Sequence, residues 1–257
     1  MSASLKERFF NQPVSVGIQC FSGSPTLVEI FGVAGFDWVC LDMEHSPTTF
    51  ESIEHLARAA KAGGTIPIVR VAHNDPIEIM RALDRGVAGV VVPHIKSVAE
   101  LEAAVAATRY PPEGTRGTCT STRASSWGLR WSEYSKVESR DAILVSIIED
   151  PEAVEAFDDL LKVEGADVFW LGTRDLTQSM GLPDSDLYDP QLAELARSLC
   201  ERAEAAGKLM MATVGPLLTV EYADYLHTLG FRLLSYGTDV KNIGKLASSI
   251  VQGVRKD

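Results

Sequence analysis

Eight short apolar runs alternate along the chain with segments of helical period, and this alternation constrains the fold more than any other sequence feature. Most of the runs are continuous, which is typical of strands that are buried on both faces of a parallel sheet. The runs are Val14–Cys20, Phe36–Asp42, Ile66–Val71, Val87–Ile95, Ala142–Glu149, Asp167–Gly172, Leu209–Val214 and Phe231–Gly237. Eight strands separated by helices predict an α/β fold in which the sheet closes into a (β/α)8 TIM barrel.

Cap and turn residues between the runs agree with this fold. Asp150 precedes a segment of helical period that ends before Gly165, and Asp189 precedes another that ends at Gly207. A doubly wound sheet should show a glycine-rich phosphate loop after its first strand, and Phe21–Pro25 matches such a loop poorly. The 257 residues are the usual size of one barrel, so residues 1–257 are predicted to form a single domain.

Charge and composition exclude several classes of protein. The formal net charge is −11, and no basic stripe is present that would bind a nucleic-acid backbone. No run approaches the roughly 18 apolar residues of a membrane span, and the N-terminal MSASLKERFF lacks the apolar centre of a signal peptide. The four cysteines form no CxxC pair, so neither a disulfide framework nor a structural zinc site is expected. We expect a cytoplasmic protein that binds neither nucleic acid nor membrane.

Barrel enzymes place their chemistry at the carboxyl ends of the strands, so the polar residues found there are the candidates. These residues are Asp42, Glu44, His45, Arg70, His94, Lys96, Glu149, Arg174, Asp175 and Asp239. An arginine at position 70 faces a partly dry barrel mouth and needs an anion from the protein or from a substrate. His45 is either a general base held by a nearby acid or a structural histidine. Lys96 is either a Schiff-base lysine or, as its place beyond the strand favours, a solvated one.

Glu149 and Asp175 form the most informative pair, because they follow neighbouring strands and their side chains can converge. Two carboxylates at one barrel mouth suit a hard divalent cation such as Mg²⁺ or Mn²⁺. Glu149 also stands directly before Asp150 and Pro151, so it is alternatively an acidic residue of a helix start. The spacing alone leaves both interpretations open.

The segment Arg109–Arg140 interrupts the alternation after the fourth strand. Connections of this length are usually functional or mobile. Trp127 and Trp131 within it are interpreted as packing residues, with a lid or a subunit contact as the alternatives.

Four groups of residues between positions 35 and 177 match the motifs of one enzyme family in the same order, within a likeness that extends over nearly the whole chain. They are Gly35–Asp37 with Leu41–His45, Pro67–Arg70, Arg109–Gly117, and Val163–Gly165 with Gly172–Thr177. The most specific is RYPPEGTRG at Arg109–Gly117. Together these motifs resemble the HpcH/HpaI aldolases, which act on 4-hydroxy-2-oxo acids and 2-dehydro-3-deoxy acids.

The resemblance implies a class II aldolase or lyase that breaks or forms a carbon–carbon bond in a 2-oxo acid through a pyruvate-type enolate. Glu149 and Asp175 would hold the divalent cation, which would be Mg²⁺, Mn²⁺ or Co²⁺. Arg70 would bind the oxo group of the substrate and its developing charge. The segment Gly172, Thr173 and Arg174 would contribute to substrate binding.

The resemblance also implies partners and an assembly. A 2-oxo acid and an aldehyde would be the small-molecule partners. His45, paired with Asp42, would belong to an acid–base relay, and Asp84, near a subunit boundary, would be a further catalytic residue. The chain would form a hexamer, a trimer of dimers, in which the C-terminal helix is exchanged between neighbouring subunits.

Four residues depart from the family pattern and leave rival functions open. Ile147 stands where the family usually has glutamine, Thr173 and Arg174 replace a proline and a small residue, and Gln19 replaces a tryptophan. One rival is another metal-enolate reaction on the same scaffold, such as decarboxylation or acyl-CoA cleavage. A rival from another class is a degenerate barrel that binds an oxo acid without turning it over.

Overall fold

The computed structural model describes residues 5–215 and 217–255, and eight strands form the centre of this part of the chain. The strands are β1 Ser15–Cys20, β2 Trp38–Asp42, β3 Ile66–Arg70, β4 Gly89–Val92, β5 Ile143–Ile148, β6 Val168–Leu171, β7 Leu209–Thr213 and β8 Leu233–Thr238. Neighbouring strands pair in parallel in chain order, and β8 pairs with β1. The predicted strands and the closed (β/α)8 barrel are confirmed.

Helices precede, connect and follow these strands. They are α1 Leu5–Asn11, α2 Pro25–Val33, α3 Phe50–Gly63, α4 Pro76–Asp84, α5 Val98–Thr108, α6 Trp131–Lys136, α7 Pro151–Glu155, α8 Phe157–Leu160, α9 Thr173–Ser179, α10 Pro190–Ala205, α11 Val220–Thr228 and α12 Asp239–Arg255. The helix predicted after Asp150 is divided into α7 and α8 at Ala156, where ψ is 0° rather than helical. The carboxylate of Asp189 caps α10 by accepting the main-chain N–H groups of Gln191 and Leu192, as its position predicted.

Alternate strand residues point into the barrel and form a core of their own. Trp38 and Trp170 meet edge to face at its centre, with ring centroids 6.2 Å apart. Gly17 makes room for Trp38, because a Cβ at that position would lie 2.0 Å from the indole ring. The same alternation along β2 and β3 carries Asp42 and Arg70 to the carboxyl end of the barrel interior.

The C-terminal helix α12 contributes little to the core of its own chain. Its only buried residue is the first, Asp239. Six large apolar side chains along it are exposed: Val240, Ile243, Leu246, Ile250, Val251 and Val254. No helix among the described residues is long and apolar enough to cross a membrane.

The long connection Arg109–Arg140 lies at the amino end of the barrel, since it runs from the end of α5 to the start of β5. Trp131 packs against Tyr110 with ring centroids 5.4 Å apart, whereas Trp127 is 62% exposed. The packing role predicted for Trp131 is therefore confirmed. A lid over the mouth of the same chain is wrong, because the connection is at the opposite end of the barrel.

Candidate active site

A cavity of about 290 Å³ opens at the carboxyl ends of the strands. The residues predicted for the site that line it are Arg70, Glu149, Gly172, Thr173, Arg174 and Asp175, and other walls are Gln19, Ile147, Trp170, Thr213 and Lys241. Asp42 and His45 do not line the cavity: Asp42 contacts Arg70, and His45 lies beside Glu44. The structure therefore brings together most of the predicted site.

Arg70 is held in the cavity wall by two carboxylates that follow β2. Its Nε donates to Asp42 Oδ2 over 2.6 Å, its Nη2 donates to the same oxygen, and its Nη1 lies 3.0 Å from Glu44 Oε2. Asp42 is fully buried, and 12% of the Arg70 side chain is exposed. Burial alone would lower the pKa of Arg70, but the negative charges around it, Asp42 foremost, raise that pKa overall. The guanidinium is thus a permanent cation with a fixed orientation.

His45 is not paired with Asp42 in the way that the resemblance implied. Asp42 Oδ1 accepts the main-chain N–H of His45 over 2.7 Å, and the other oxygen of Asp42 is taken by Arg70. The acid near the imidazole is Glu44, whose Oε2 is 3.6 Å from His45 Nε2, and 63% of the imidazole side chain is exposed. His45 is therefore exposed and does not line the cavity, and Glu44 rather than Asp42 can orient its ring.

Glu149 follows β5 and faces the cavity. Its Oε1 accepts the main-chain N–H of His94 over 2.8 Å, and the residue is 5% exposed. Gly172 leaves the room that this carboxylate needs, because a Cβ there would lie 2.5 Å from Glu149 Cβ and 3.0 Å from Glu149 Oε2. None of the hydrogen bonds described for Glu149 comes from α7. The contacts thus favour the cavity role of Glu149 over its role at a helix start.

His94 connects the carboxylates of the site, and no sequence pattern indicated this role. Its Nδ1 lies 3.2 Å from both Glu149 Oε1 and Asp150 Oδ2, and its Nε2 lies 3.8 Å from Glu44 Oε1. Burial lowers the pKa of the imidazole, but the hydrogen bond to Asp150 and the nearby carboxylates raise it overall. His94 therefore lies between the carboxylate that holds Arg70 and the predicted cation ligand.

Asp175 lies in the first turn of α9 and lines the same cavity as Glu149. The donor atoms that lie within 4.8 Å of one another are those of His94, Glu149 and Asp150, and Asp175 is outside this group. Its charge nevertheless reaches Glu149, since it helps to raise the pKa of that carboxyl group. The two predicted cation ligands thus share one cavity, and His94 and Asp150 are additional donors beside Glu149.

Lys96 forms an ion pair outside the cavity. Its Nζ lies 2.9 Å from Asp150 Oδ1, and 43% of its side chain is exposed. The hydrogen bond to Asp150 raises the pKa of the ammonium group. This position agrees with the solvated lysine that the sequence favoured, because Lys96 does not line the cavity in which a Schiff base would form.

The four departures from the family pattern surround the same cavity. Ile147 is buried in the barrel interior, and Gln19 donates from Nε2 to Ser235 Oγ over 3.1 Å. Arg174 is exposed and donates from Nη1 to the main-chain oxygen of Pro183. Thr173 begins α9, directly before Arg174. The apolar wall at Ile147 offers no hydrogen bond to a ligand, whereas Arg174 adds a cation beside Asp175.

Asp84 is remote from the cavity. It ends α4 at the amino end of the barrel, where its Oδ1 accepts a hydrogen bond from Arg116 Nη2 over 2.8 Å. The Arg116 guanidinium is buried and lies 4.6 Å from the centre of the Tyr110 ring. Asp84 therefore cannot act in the cavity of its own chain, and a catalytic role would require a second copy.

The surroundings of Glu149 disfavour the ionised form of its carboxyl group. Burial raises the pKa of this carboxyl group, and the charges of Asp175 and Glu44 raise it further, whereas the N–H and imidazole of His94 lower it. The pKa of Glu149 is higher in the folded than in the unfolded state. The folded state therefore loses stability as the pH rises through the interval between these two pKa values. A cation bound at the carboxylate would remove that cost.

We expect Glu149→Gln to raise the thermal stability of the metal-free protein at neutral pH and to leave it unchanged well below pH 4.5, the ordinary pKa of the group. The gain should be a few degrees, since about 1 kcal/mol shifts the unfolding temperature of such a chain by roughly 2–4 °C. Calorimetry in chelator at several pH values measures it, with the exposed Glu152→Gln as the control. Equal unfolding temperatures of Glu149→Gln and the native protein at neutral pH would contradict this account of the charge.

Comparison with known proteins gives consistent results. The family model of the HpcH/HpaI aldolase/citrate lyase family matches residues 17–244. A 2-dehydro-3,6-dideoxy-6-sulfogluconate aldolase from Pseudomonas putida is 38% identical over 76% of this chain and 76% of its own length. A pyruvate aldolase from Rhizobium etli is 33% identical over 93% of this chain and 89% of its own length.

A solved structure shows the same architecture. The HpcH/HpaI aldolase/citrate lyase family protein from Burkholderia cenocepacia superimposes with a TM-score of 0.90 at 27% identity, covering 98% of both chains. The family model spans the barrel from β1 into α12, and so includes every strand that contributes to the cavity. The chain belongs to the HpcH/HpaI aldolase/citrate lyase family.

Proposed function

We propose that this chain is a divalent-metal-dependent aldolase that breaks or forms a carbon–carbon bond in a 2-oxo acid through a pyruvate-type enolate. The observation that carries the proposal is one cavity whose walls contain both a fixed guanidinium, Arg70, and a buried carboxylate, Glu149, that faces inward. Relatives that are named as aldolases of sugar-acid and pyruvate type support the reaction class.

The donor chemistry of the cavity fits a divalent cation. Glu149 uses Oε1 for the His94 N–H, and its Oε2 lies on the side of Gly172. Asp175 adds a second carboxylate to the same walls. Oxygen donors of this kind suit Mg²⁺, Mn²⁺ or Co²⁺, and the bound cation would supply Lewis-acid stabilisation of the enolate.

The residues of the chain would bind and orient the substrate. Arg70 would donate to the oxo oxygen, because its other N–H groups are fixed on Asp42 and Glu44 and its orientation is set before the substrate arrives. The exposed imidazole of His45, oriented by Glu44, would remove the proton from the 4-hydroxyl group of the substrate. The bond between C3 and C4 would then break, releasing the aldehyde and leaving the electron pair on the enolate. Gly172, Thr173 and Arg174 would form the adjacent wall.

Assays with a set of 4-hydroxy-2-oxo acids as substrates test the proposal. With Mg²⁺ or Mn²⁺ present, we expect pyruvate to be released from at least one of them and to be measured with a lactate dehydrogenase couple. Binding of pyruvate without cleavage of any member would instead support the degenerate barrel. Loss of carbon dioxide from oxaloacetate as the only reaction would support the decarboxylase.

We also propose that the chain assembles with other copies of itself through α12. The exposed apolar side chains of this helix and the remote position of Asp84 support an assembly in which neighbouring barrels complete each other. A hexamer with exchanged C-terminal helices, as the resemblance implies, would bury these side chains.

The double variant Leu246→Glu/Ile250→Glu is expected to convert the assembly to monomers, because each change places a charge on the apolar face of α12. Sedimentation velocity measures the change, and Gln252→Glu on the same helix is the matched control. An unchanged sedimentation coefficient in the double variant would show that another surface carries the assembly.

A further inference from the structure

A buried carboxylate that does not line the cavity connects the exposed helix α12 to Arg70. Asp239, the first residue of α12, is completely buried. Its Oδ1 accepts the main-chain N–H groups of Phe21 and Val240, each over 2.8 Å. Ser22 donates to Asp239 Oδ2 from its main-chain N–H over 3.2 Å and also from its hydroxyl group. The side chain therefore uses both oxygens, and most of its donors belong to the connection after β1.

Most of the donors to Asp239 belong to the segment that packs on Arg70. Phe21 follows β1, which pairs with β8 in the closed barrel, so the start of α12 and the end of β1 are neighbours. The ring centre of Phe21 lies 5.9 Å from the guanidinium carbon of Arg70. Asp42 and Glu44 hold Arg70 through its nitrogens, and Phe21 adds an aromatic contact that these carboxylates cannot supply.

No ion pair of Asp239 with a lysine, arginine or histidine is present among the described residues, so main-chain and hydroxyl donors alone compensate its buried charge. Such a carboxylate is costly to bury unless its hydrogen bonds are formed. The conformation of Phe21 and Ser22 is therefore tied to the seating of α12 on the barrel.

We propose that Asp239 is a positioning residue that holds Phe21 against Arg70 and thereby couples the seating of α12 to the binding of the 2-oxo acid. The coupling to binding of the 2-oxo acid rests on the function proposed above, whereas the contact of Phe21 with Arg70 does not. Asp239 itself does not line the cavity.

The reactivity of Arg70 toward phenylglyoxal tests the coupling independently of any substrate. The variants are Asp239→Asn, Phe21→Ala and the double variant, and the rate is followed by mass spectrometry of the Arg70 peptide. Each single change should raise the rate about 5-fold, and the double variant should raise it no further, because residues that act through one contact are not additive. The exposed Arg58 supplies an internal reference in every sample.

Asp189→Asn is the matched control, since Asp189 also accepts main-chain N–H groups at the start of a helix but lies on α10. It should leave the Arg70 rate unchanged. Additive effects of the two single changes, or a native rate in Asp239→Asn, would overturn the proposal. If Asp239→Asn does not fold, a native rate in Phe21→Ala overturns it.

Measurements of KM distinguish a failure of this proposal from a failure of the function on which it rests. With a cleaved oxo acid, Asp239→Asn and Phe21→Ala should raise KM for the acid by a similar factor, about 5-fold as for the reactivity of Arg70. A native enzyme that cleaves no oxo acid contradicts the proposed function, while the phenylglyoxal rates still decide the role of Asp239. An unchanged KM together with a raised phenylglyoxal rate would overturn the coupling to substrate.

Discussion

Replacing Glu149 with glutamine is expected to lower kcat for pyruvate release by about 10³-fold, because Lewis-acid stabilisation is worth several kcal/mol and each ~1.4 kcal/mol is a factor of ten. Glutamine has almost the same shape but lacks the negative charge that would bind the cation. The buried position, the N–H from His94 and the space above Gly172 all remain available to the amide. The measurement is kcat at saturating Mn²⁺, together with Mn²⁺ affinity from calorimetry.

The control for this prediction is Glu152→Gln, which removes a nearby but exposed carboxylate of α7. It should retain native kcat. Calorimetry of Glu149→Gln in the assay buffer distinguishes lost activity from unfolding. A variant that binds Mn²⁺ and turns over like the native enzyme would show that Glu149 is not a cation ligand, and His94, Asp150 and Asp175 would become the candidates.

Replacing Arg70 with lysine is expected to lower kcat by about 10²–10³-fold, the usual cost of losing one donor aimed at a developing oxyanion. Lysine keeps the charge but not the planar fork that donates to Asp42 and lies beside Glu44 at the same time. Without these two contacts the ammonium group has no fixed direction toward the cavity. The measurement is the separate determination of kcat and KM with the best oxo acid.

Arg174→Lys is the matched control, because Arg174 lines the same cavity but donates only to the main-chain oxygen of Pro183 among its described contacts. We expect a change of less than about threefold, since a lysine can replace a single exposed hydrogen bond. A native kcat in Arg70→Lys would reduce Arg70 to a structural partner of Asp42. Equal losses in both variants would show that the effect is not specific to the fixed geometry of Arg70.

The barrel could be predicted from sequence because every strand is a short apolar run with a cap or turn signal nearby. The site could be predicted in part from the barrel, because a closed parallel barrel brings the carboxyl ends of all its strands to one mouth. This rule selected Arg70, Glu149 and Asp175 correctly as residues of one cavity. It also selected Lys96, which follows a strand but pairs with Asp150 outside the cavity.

The partners of each side chain could not be predicted. His94 has a φ of 53°, a conformation that a non-glycine residue seldom adopts, and this conformation directs its N–H to Glu149. The contact of Asp42 with the main chain rather than the ring of His45 depends on the tight turn after β2. Such details depend on dihedral angles that periodicity does not encode.

The strand-end rule selected Asp239 but could not select Asp84. Asp239 was selected by the rule, and the pairing of β8 with β1 places it beside Phe21. Closure of the predicted barrel would have indicated that neighbour in advance. Asp84 ends a helix at the other face, so only the family resemblance indicated it, and its role depends on an assembly that one chain does not contain.

The most direct test of the central claim is turnover before and after removal of divalent metal. The protein is treated with a chelator, passed into metal-free buffer, and assayed for pyruvate release from 4-hydroxy-2-oxo acids. We predict that turnover is abolished and that Mg²⁺, Mn²⁺ or Co²⁺ restores it in the native protein but not in Glu149→Gln. Full turnover in chelator would contradict the account, and trapping of a Lys96 adduct with borohydride would then identify a Schiff-base aldolase instead.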